Sequence, residues 1–584
     1  MVLPNMIIMS KVGDALWRMN DSTKKVLRLD FSDFSSSLDA EELSGKGEVE
    51  SEGEGENERK EDPKEEKGKE KTKEPRPYTL RQGIGLILGP ALFLILLLIP
   101  DLGGMPRPAQ STLAVTALMA TWWMCESIPI PATALLPLIL FPMLYIVGPK
   151  EAGLGYADRN VFLFMGGFMI AEAMMRWNLH TRIALTIVHA IGRSPRTIIL
   201  GFMVASAFLS MWISNTATAM MMMVIGLAVV MYFTDMGKKV GVQGINFEPG
   251  EFAFGTALML GIAYACSVGG IGTPVGTPPN LFFKGLVEEL GGPEISFVQW
   301  MGFAQPFVWI FVIIMWIWLA FIAYPIKLKE VPGGTDIVGK QLKDLGKMSR
   351  GEKVTLAVFI TTAFLWVFKG LVTGFHLDPF PGFYHFWKSI HECTIAILMA
   401  FILFLIPINL KKGEFALNWE WAAKIPWGIL LLFGGGIALA KGWMDSGLAI
   451  WVGEQLAGMK GIPLIFIVLI IITLMDFLTE FTSNTATTTM MMPVLFSLGI
   501  ALGVHPFLLM IPAVIAVSCA FMLPVATPPN AIVFGSGYLR IPQMVRAGIF
   551  LDFMAIPLNF IIVYFIATFI MSIPWGAGVP PWAL

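Results

Sequence analysis

Residues 82–100 read QGIGLILGPALFLILLLIP, and comparable apolar runs recur at 298–324, 353–372, 394–408 and 546–572. Most approach the roughly 20 residues needed to cross the hydrocarbon core of a bilayer. Backbone polar groups at that depth must find partners within the protein, and a helix supplies them within the segment itself. With the less uniform segments included, about eleven crossings are expected. Composition agrees: 55% of residues are hydrophobic and 14% charged, against about 25% charged in soluble globular proteins. The chain reads as an all-α polytopic membrane protein.

The few charges are unevenly placed. Residues 39–76, including EGENERKEDPKEEKGKEKTKEPR, are dense in Glu and Lys. Such a segment cannot bury enough apolar surface to offset its ordering entropy, so 1–77 reads as a disordered, charged cytoplasmic tail. Its first residues lack the basic-then-apolar pattern of a cleaved signal peptide, so a cytoplasmic N-terminus is expected. The stretch from Lys327 to Lys353 holds seven Lys or Arg, and Lys411 and Lys412 sit in another loop. The positive-inside rule places both in the cytoplasm, with the N-terminus and the linker 326–352. Integral insertion in the plasma (inner) membrane is expected, with no nucleic-acid partner. Four scattered cysteines (Cys125, Cys266, Cys393, Cys519) show neither CxxC nor zinc spacing and read as small buried hydrophobes.

Two polar phrases interrupt the apolar background, and they match. SNTATAMMM begins at Ser214 and SNTATTTMMM at Ser483, 269 residues later. At the same offset Leu163-Phe164-Met165-Gly166-Gly167 falls on Leu432-Phe433-Gly434-Gly435-Gly436, Ala171 on Ala440, and Leu179 on Leu448. GTPPN (Gly276–Asn280) answers ATPPN (Ala526–Asn530) at an offset of 250; the polar insert 234–251 accounts for the difference. Ordered, matched blocks mark an internal duplication. Halves 78–325 and 353–584 follow, with broken segments in corresponding places, as in many secondary transporters.

The breaks have a chemical use. In Thr197–Val230 an apolar run meets Ser-Asn-Thr and then resumes, which predicts a re-entrant hairpin over 197–230, repeated over 463–500. Non-helical backbone is tolerated at membrane depth only inside protein or beside a water-filled cavity. Each Pro-Pro pair ends one helix and favours the first turn of the next. Broken helices are therefore expected over 252–290 and 506–540, the halves being 252–268 and 279–290, then 506–523 and 529–540. Unwinding frees carbonyl oxygens, while new helix starts offer N–H groups to an anion. Ser hydroxyl, Asn carbonyl and free backbone carbonyl suit a hard cation such as sodium. For one Ser-Asn-Thr, helix capping alone is as good a reading as binding; two copies, each followed by a broken helix, favour binding.

The Ser-Asn-Thr pair, the TPPN pair and WWMCESIPIPATALLP (Trp122–Pro137) together resemble the divalent anion/sodium symporter family of di- and tricarboxylate carriers. The resemblance spans roughly residues 80–575. It implies inverted repeats, hairpin tips meeting at the substrate, a homodimer, and a transport domain that moves like an elevator. Carried over by position, it implies a first sodium site of Ser210, Ser214, Asn215 and the Gly276 carbonyl. The second would use Thr479, Ser483, Asn484 and the Ala526 carbonyl. Substrate carboxylates would meet Ser214, Asn215, Thr216, Ser483, Asn484 and Thr485, with Thr277, Thr527 and Pro528 close by.

These readings favour a sodium-coupled symporter of dicarboxylates such as succinate, fumarate or malate, with sodium co-transported and no enzymatic activity. A sodium-independent exchanger, a sulfate or citrate carrier and an anion channel are the alternatives. Glu126, Glu172, Asp476 and Glu480 lie in or near apolar segments, where ion pairing or helix-end solvation competes with proton coupling. Lys284 reads as snorkelling to an interface. The methionine runs Met220–Met223 and Met490–Met492 read as adaptable packing. GGIGTPVGTPPN lacks the ending of a phosphate loop, and no HExxH set is present.

Overall fold

A computed structural model describes residues 78–583 apart from 101, 242–243, 329–336, 457 and 459–460. The expected charged tail at 1–77 and the middle of the basic linker 326–352 lie outside the described residues. The longer helices are α1 (Leu80–Leu98), α2 (Arg107–Cys125), α3 (Arg159–Arg176), α4 (Leu179–Ile191), α5 (Pro195–Ser210), α6 (Asn215–Val240), α7 (Ala253–Ile271), α8 (Pro278–Glu289) and α9 (Phe297–Ile317). They continue with α10 (Arg350–Gly374), α11 (Glu392–Leu405), α12 (Trp427–Asp445), α13 (Leu448–Leu456), α14 (Leu464–Thr479), α15 (Asn484–Leu502), α16 (Phe507–Ala516), α17 (Pro528–Phe534) and α18 (Ile541–Ile562). Strand pairing among the described residues is confined to Pro407–Asn409 against Glu414–Phe415.

Eight of these helices, α1, α6, α7, α9, α10, α12, α15 and α18, are long and apolar enough to cross a membrane. A ninth appears if Phe383–Ser389 and α11, bent 80° apart, form one span. The difference from about eleven crossings lies in shorter apolar pieces: Ile130–Met143, α4, α5, α14 and α16. At 1.5 Å per residue, the 16 residues of α5 or α14 reach about 24 Å, less than a hydrocarbon core. Two of these pieces are hairpin arms and α16 is half of a broken helix.

Both hairpins form, with unequal arms. Ser194 opens α5 through a capping box with Thr197 and a proline in the first turn. The chain then turns at Met211–Ser214, and α6 runs on to Val240, past the expected end at 230. Nothing in 231–240 breaks a helix; Gly241, at φ +69°, supplies the left-handed stop. In the second copy Gly503, at φ +73°, ends α15 after Leu502. The second arms, 26 and 19 residues, are thus longer than the sequence suggested.

Both helices break at the prolines. α7, buried along most of its length, stops at Ile271, and α8 begins at Pro278. In the second half α16 already ends at Ala516, seven residues before the expected 523, and α17 spans only Pro528–Phe534. Packing between the halves is reciprocal: α6 lies against α17, and α8 against α15. Each half-helix that follows a Pro-Pro pair packs on the second hairpin arm of the other repeat, as a two-fold relation between the halves would produce.

Candidate functional site

Ser210 closes α5 and Asn215 opens α6, so the tight turn between them folds one side chain back on the other. Ser210 Oγ lies 2.6 Å from Asn215 Oδ1 and 2.7 Å from the Cys266 carbonyl oxygen. A hydroxyl owns one proton, so three oxygens converge here with a single hydrogen among them. Gly270 borders the same spot: a Cβ there would stand 2.7 Å from Asn215 Oδ1 and 3.2 Å from the Gly276 carbonyl oxygen. The bare glycine keeps open the space that the amide and the carbonyl share. A side chain at position 270 would force the Asn215 amide or the Gly276 carbonyl to move.

The second half repeats the arrangement. Thr479 Oγ1 lies 2.6 Å from Asn484 Oδ1 and 2.9 Å from the Val517 carbonyl oxygen. Hydroxyl, amide oxygen and backbone carbonyl recur at similar separations, 269 residues on for the two side chains; Cys266 lies inside α7, whereas Val517 caps α16. The structure thus brings Ser210, Asn215 and Gly276 together in one half, and Thr479 with Asn484 in the other. Ser214 caps α6 by accepting from the Ala217 N–H at 3.3 Å, whereas Ser483 makes no such cap. Ser214, Asn215, Thr216, Ser483, Asn484 and Thr485 are all half-buried, as lining positions would be. Thr277 and Thr527 are buried, and Pro528 is exposed. Ala526 lies near the end of the unwound linker of its half, before Thr527 caps α17.

Sequence reasoning missed what shapes those linkers. Asn280 Nδ2 donates to the carbonyls of Gly270 and Thr273 at 3.0 and 2.8 Å. Asn530 Nδ2 donates to Ala520 and Leu523, both at 3.1 Å. Each TPPN asparagine staples the linker before it; the signal was the Asn closing both motifs. The halves differ in their further ties. Trp300 and Gln305 on α9 hold the carbonyls of Ile271 and Gly272 at 2.9 and 2.8 Å. In the second half Glu480 accepts from the amides of Phe521, Met522 and Leu523 at 2.5, 2.8 and 3.1 Å. That grip on the backbone explains why α16 ends early, and it gives Glu480 a structural task.

The tips differ as well. Trp212 stacks on Phe297 (centroids 6.2 Å) and meets Phe359 edge-on, while its counterpart Phe481 is 61% exposed. Lys284 does not snorkel: it is fully buried and paired with the equally buried Glu392. Glu126 is exposed beside Arg81, and Glu172 is buried. Cys266 and Cys519 are buried, Cys125 and Cys393 half-buried. Met222 and Met492 are packed in the core, and among the described residues no His, Cys, Asp and Glu cluster could hold a metal ion.

Residues 81–573 match the family described as the sodium:sulfate symporter transmembrane region. The chain belongs to the sodium:sulfate symporter family. Within that family it is 44% identical over 501 residues to the sodium-dependent dicarboxylate transporter SdcS of Staphylococcus saprophyticus, covering 86% of this chain and 94% of that one. Identity to SdcS of Staphylococcus aureus is 43% over 508 residues, covering 87% and 95%. Two solved structures share the fold at 13% identity. One is Neisseria gonorrhoeae MtrF, titled for a class of antimetabolite efflux pumps (TM-score 0.50, covering 79% of this chain and 95% of that one). The other is the Alcanivorax borkumensis YdaH transporter (TM-score 0.51, covering 78% and 98%). A symporter of this family is a transporter, not an enzyme.

Proposed function

We propose that this chain is a sodium-coupled symporter of small dicarboxylates such as succinate, fumarate or malate. The observation that carries the reading is the twin oxygen cluster, Ser210 with Asn215 and Thr479 with Asn484, in a chain whose relatives are named sodium-dependent dicarboxylate transporters. Ser210, Ser214, Asn215 and the Gly276 carbonyl would hold one sodium ion. Thr479, Ser483, Asn484 and the Ala526 carbonyl would hold the other. The ions neutralise carboxylates that Ser214, Asn215, Thr216, Ser483, Asn484 and Thr485 then orient, with Thr277, Thr527 and Pro528 alongside. Coupling follows because the carboxylate site is well formed only with sodium bound, so the two ligands favour the same state. Asn280 and Asn530 keep the carbonyl linkers in the conformation this requires.

The wider setting is part of the same reading: a homodimer in the plasma membrane, with a cytoplasmic N-terminus and elevator-type alternating access between inverted repeats. The second tip, with Phe481 uncovered, is free to slide against a neighbouring surface, while the first is held by α9 and α10. Proteoliposomes test the coupling. Labelled succinate should accumulate under an inward sodium gradient and not when choline replaces sodium; equal uptake would point to an exchanger. Competition by fumarate and malate, but not by sulfate or citrate, would fix the substrate class. Saturation and counterflow would separate a carrier from an anion channel.

A further inference from the structure

Asp476 on α14 and Asp552 on α18 are each 1% exposed, and all four of their carboxylate oxygens are buried without a hydrogen-bond partner. The helices meet at this level, where the neighbouring Phe477 and Phe553 rings lie 5.9 Å apart. Each aspartate acts electrostatically on its surroundings here: Asp476 feels Asp552 and Glu480, and Asp552 feels Glu480. Asp552 borders the Phe521 amide, but Glu480 already takes that N–H at 2.5 Å. The other titratable groups facing the pair are Tyr264 of α7 and Cys519 of the second linker. Tyr264 gives its hydroxyl proton to the Phe521 carbonyl at 2.8 Å. No lysine, arginine or histidine among the described residues pairs with either aspartate.

Two ionised carboxylates cannot persist side by side in such a place without a counter-charge. The duplication supplies an internal control. At the offset of 269, Asp476 corresponds to Ala207, and α9, the counterpart of α18, carries no charge from Phe297 to Ile317. The fold is therefore satisfied by neutral residues at these positions, and the acids in the second half serve something else. A metal is disfavoured, because no three metal-ligating side chains among the described residues converge. We propose that Asp476 and Asp552 form a proton-binding pair, protonated at neutral pH, whose bound proton weakens sodium binding at the neighbouring Thr479 site. Protonation removes the charge that these buried, unpartnered oxygens have nothing to offset.

Asp476 stands one helical turn before Thr479 and on the same face of α14. In alkaline solution the proton leaves to solvent, and a negative charge appears near the second sodium site. By linkage, sodium binding and proton release then favour one another. The linkage rests on the sodium reading above; the protonation itself does not. Two measurements on purified full-length protein test it. Infrared spectra at neutral pH should show a protonated-carboxyl band that weakens in Asp476→Asn and in Asp552→Asn and is lost when both are changed. Sodium affinity without substrate should tighten about tenfold from neutral to alkaline pH in the unaltered protein, and stay flat in both variants. Ionised carboxylates at neutral pH, or one sodium ion fewer per protomer in the variants, would overturn the proposal. A protonated pair in a protein that binds no sodium would sink the sodium reading and leave the proton site standing.

Discussion

Lys284→Met is expected to destabilise the protein by about 3–5 kcal/mol, the usual cost of stranding one partner of a buried ion pair. Lys284 and Glu392 are both fully buried, and the Glu392 carboxylate also accepts from the Phe297 N–H at 2.8 Å. Around them Arg159 pairs with Glu288 at 2.9 Å, and Lys369 with Glu294. Three cations, with His391 3.8 Å from both Glu288 and Glu294, thus face three carboxylates, and removing Lys284 strands the Glu392 charge where water cannot reach it. The double variant Lys284→Met/Glu392→Gln should regain most of the loss, since the amide introduced at position 392 keeps an acceptor for Phe297 and carries no charge. Thermal unfolding of the four proteins in detergent provides the cycle. If the two single changes simply add, the pair is not coupled. The pair also joins α8, which follows the first Pro-Pro break, to α11, so transport should fall with stability.

What could be read from the amino acids depended on how local each signal was. Apolar runs declare a membrane protein because lipid enforces helical backbone along the whole segment. Ser-Asn-Thr and TPPN were legible because duplication printed each twice, and the Ser210–Asn215 and Thr479–Asn484 pairs lie only five residues apart in sequence. Helix ends were less legible. α6 passed residue 230 because the stop is Gly241, and α16 fell short because a carboxylate from another helix claimed its successor amides.

Partners far apart in sequence left no trace at all. Lys284 meets Glu392 across 108 residues, and a lone lysine in an apolar half-helix reads equally well as one that reaches for an interface. Asp476 and Asp552 share the same difficulty: each is one acid in an apolar helix, and only the packing of α14 on α18 brings the two helices together. Glu480 differs in kind. At the offset of 269 it falls on Met211, so the duplication does not carry it, and its three amide partners lie 41 to 43 residues away, where no local signal points to them.

Those amides make Glu480→Ala the sharpest test of the second linker. The change leaves the N–H groups of Phe521, Met522 and Leu523 buried without an acceptor, at about 1–3 kcal/mol each. The linker that carries Ala526 should then lose its shape, and the Thr479–Asn484 cluster should lose the Val517 carbonyl beside it. Transport is expected to disappear, with a large fall in melting temperature. Glu480→Gln should be intermediate, because its carbonyl oxygen can still serve Phe521 and Met522 while its NH2 faces the Leu523 N–H. A carboxylate whose task was to carry protons would give the opposite order. Glu480→Gln would then be as stable as the unaltered protein and would lose only the pH dependence of uptake. Melting curves and uptake measured across pH on the same two variants decide between a backbone clamp and a proton carrier.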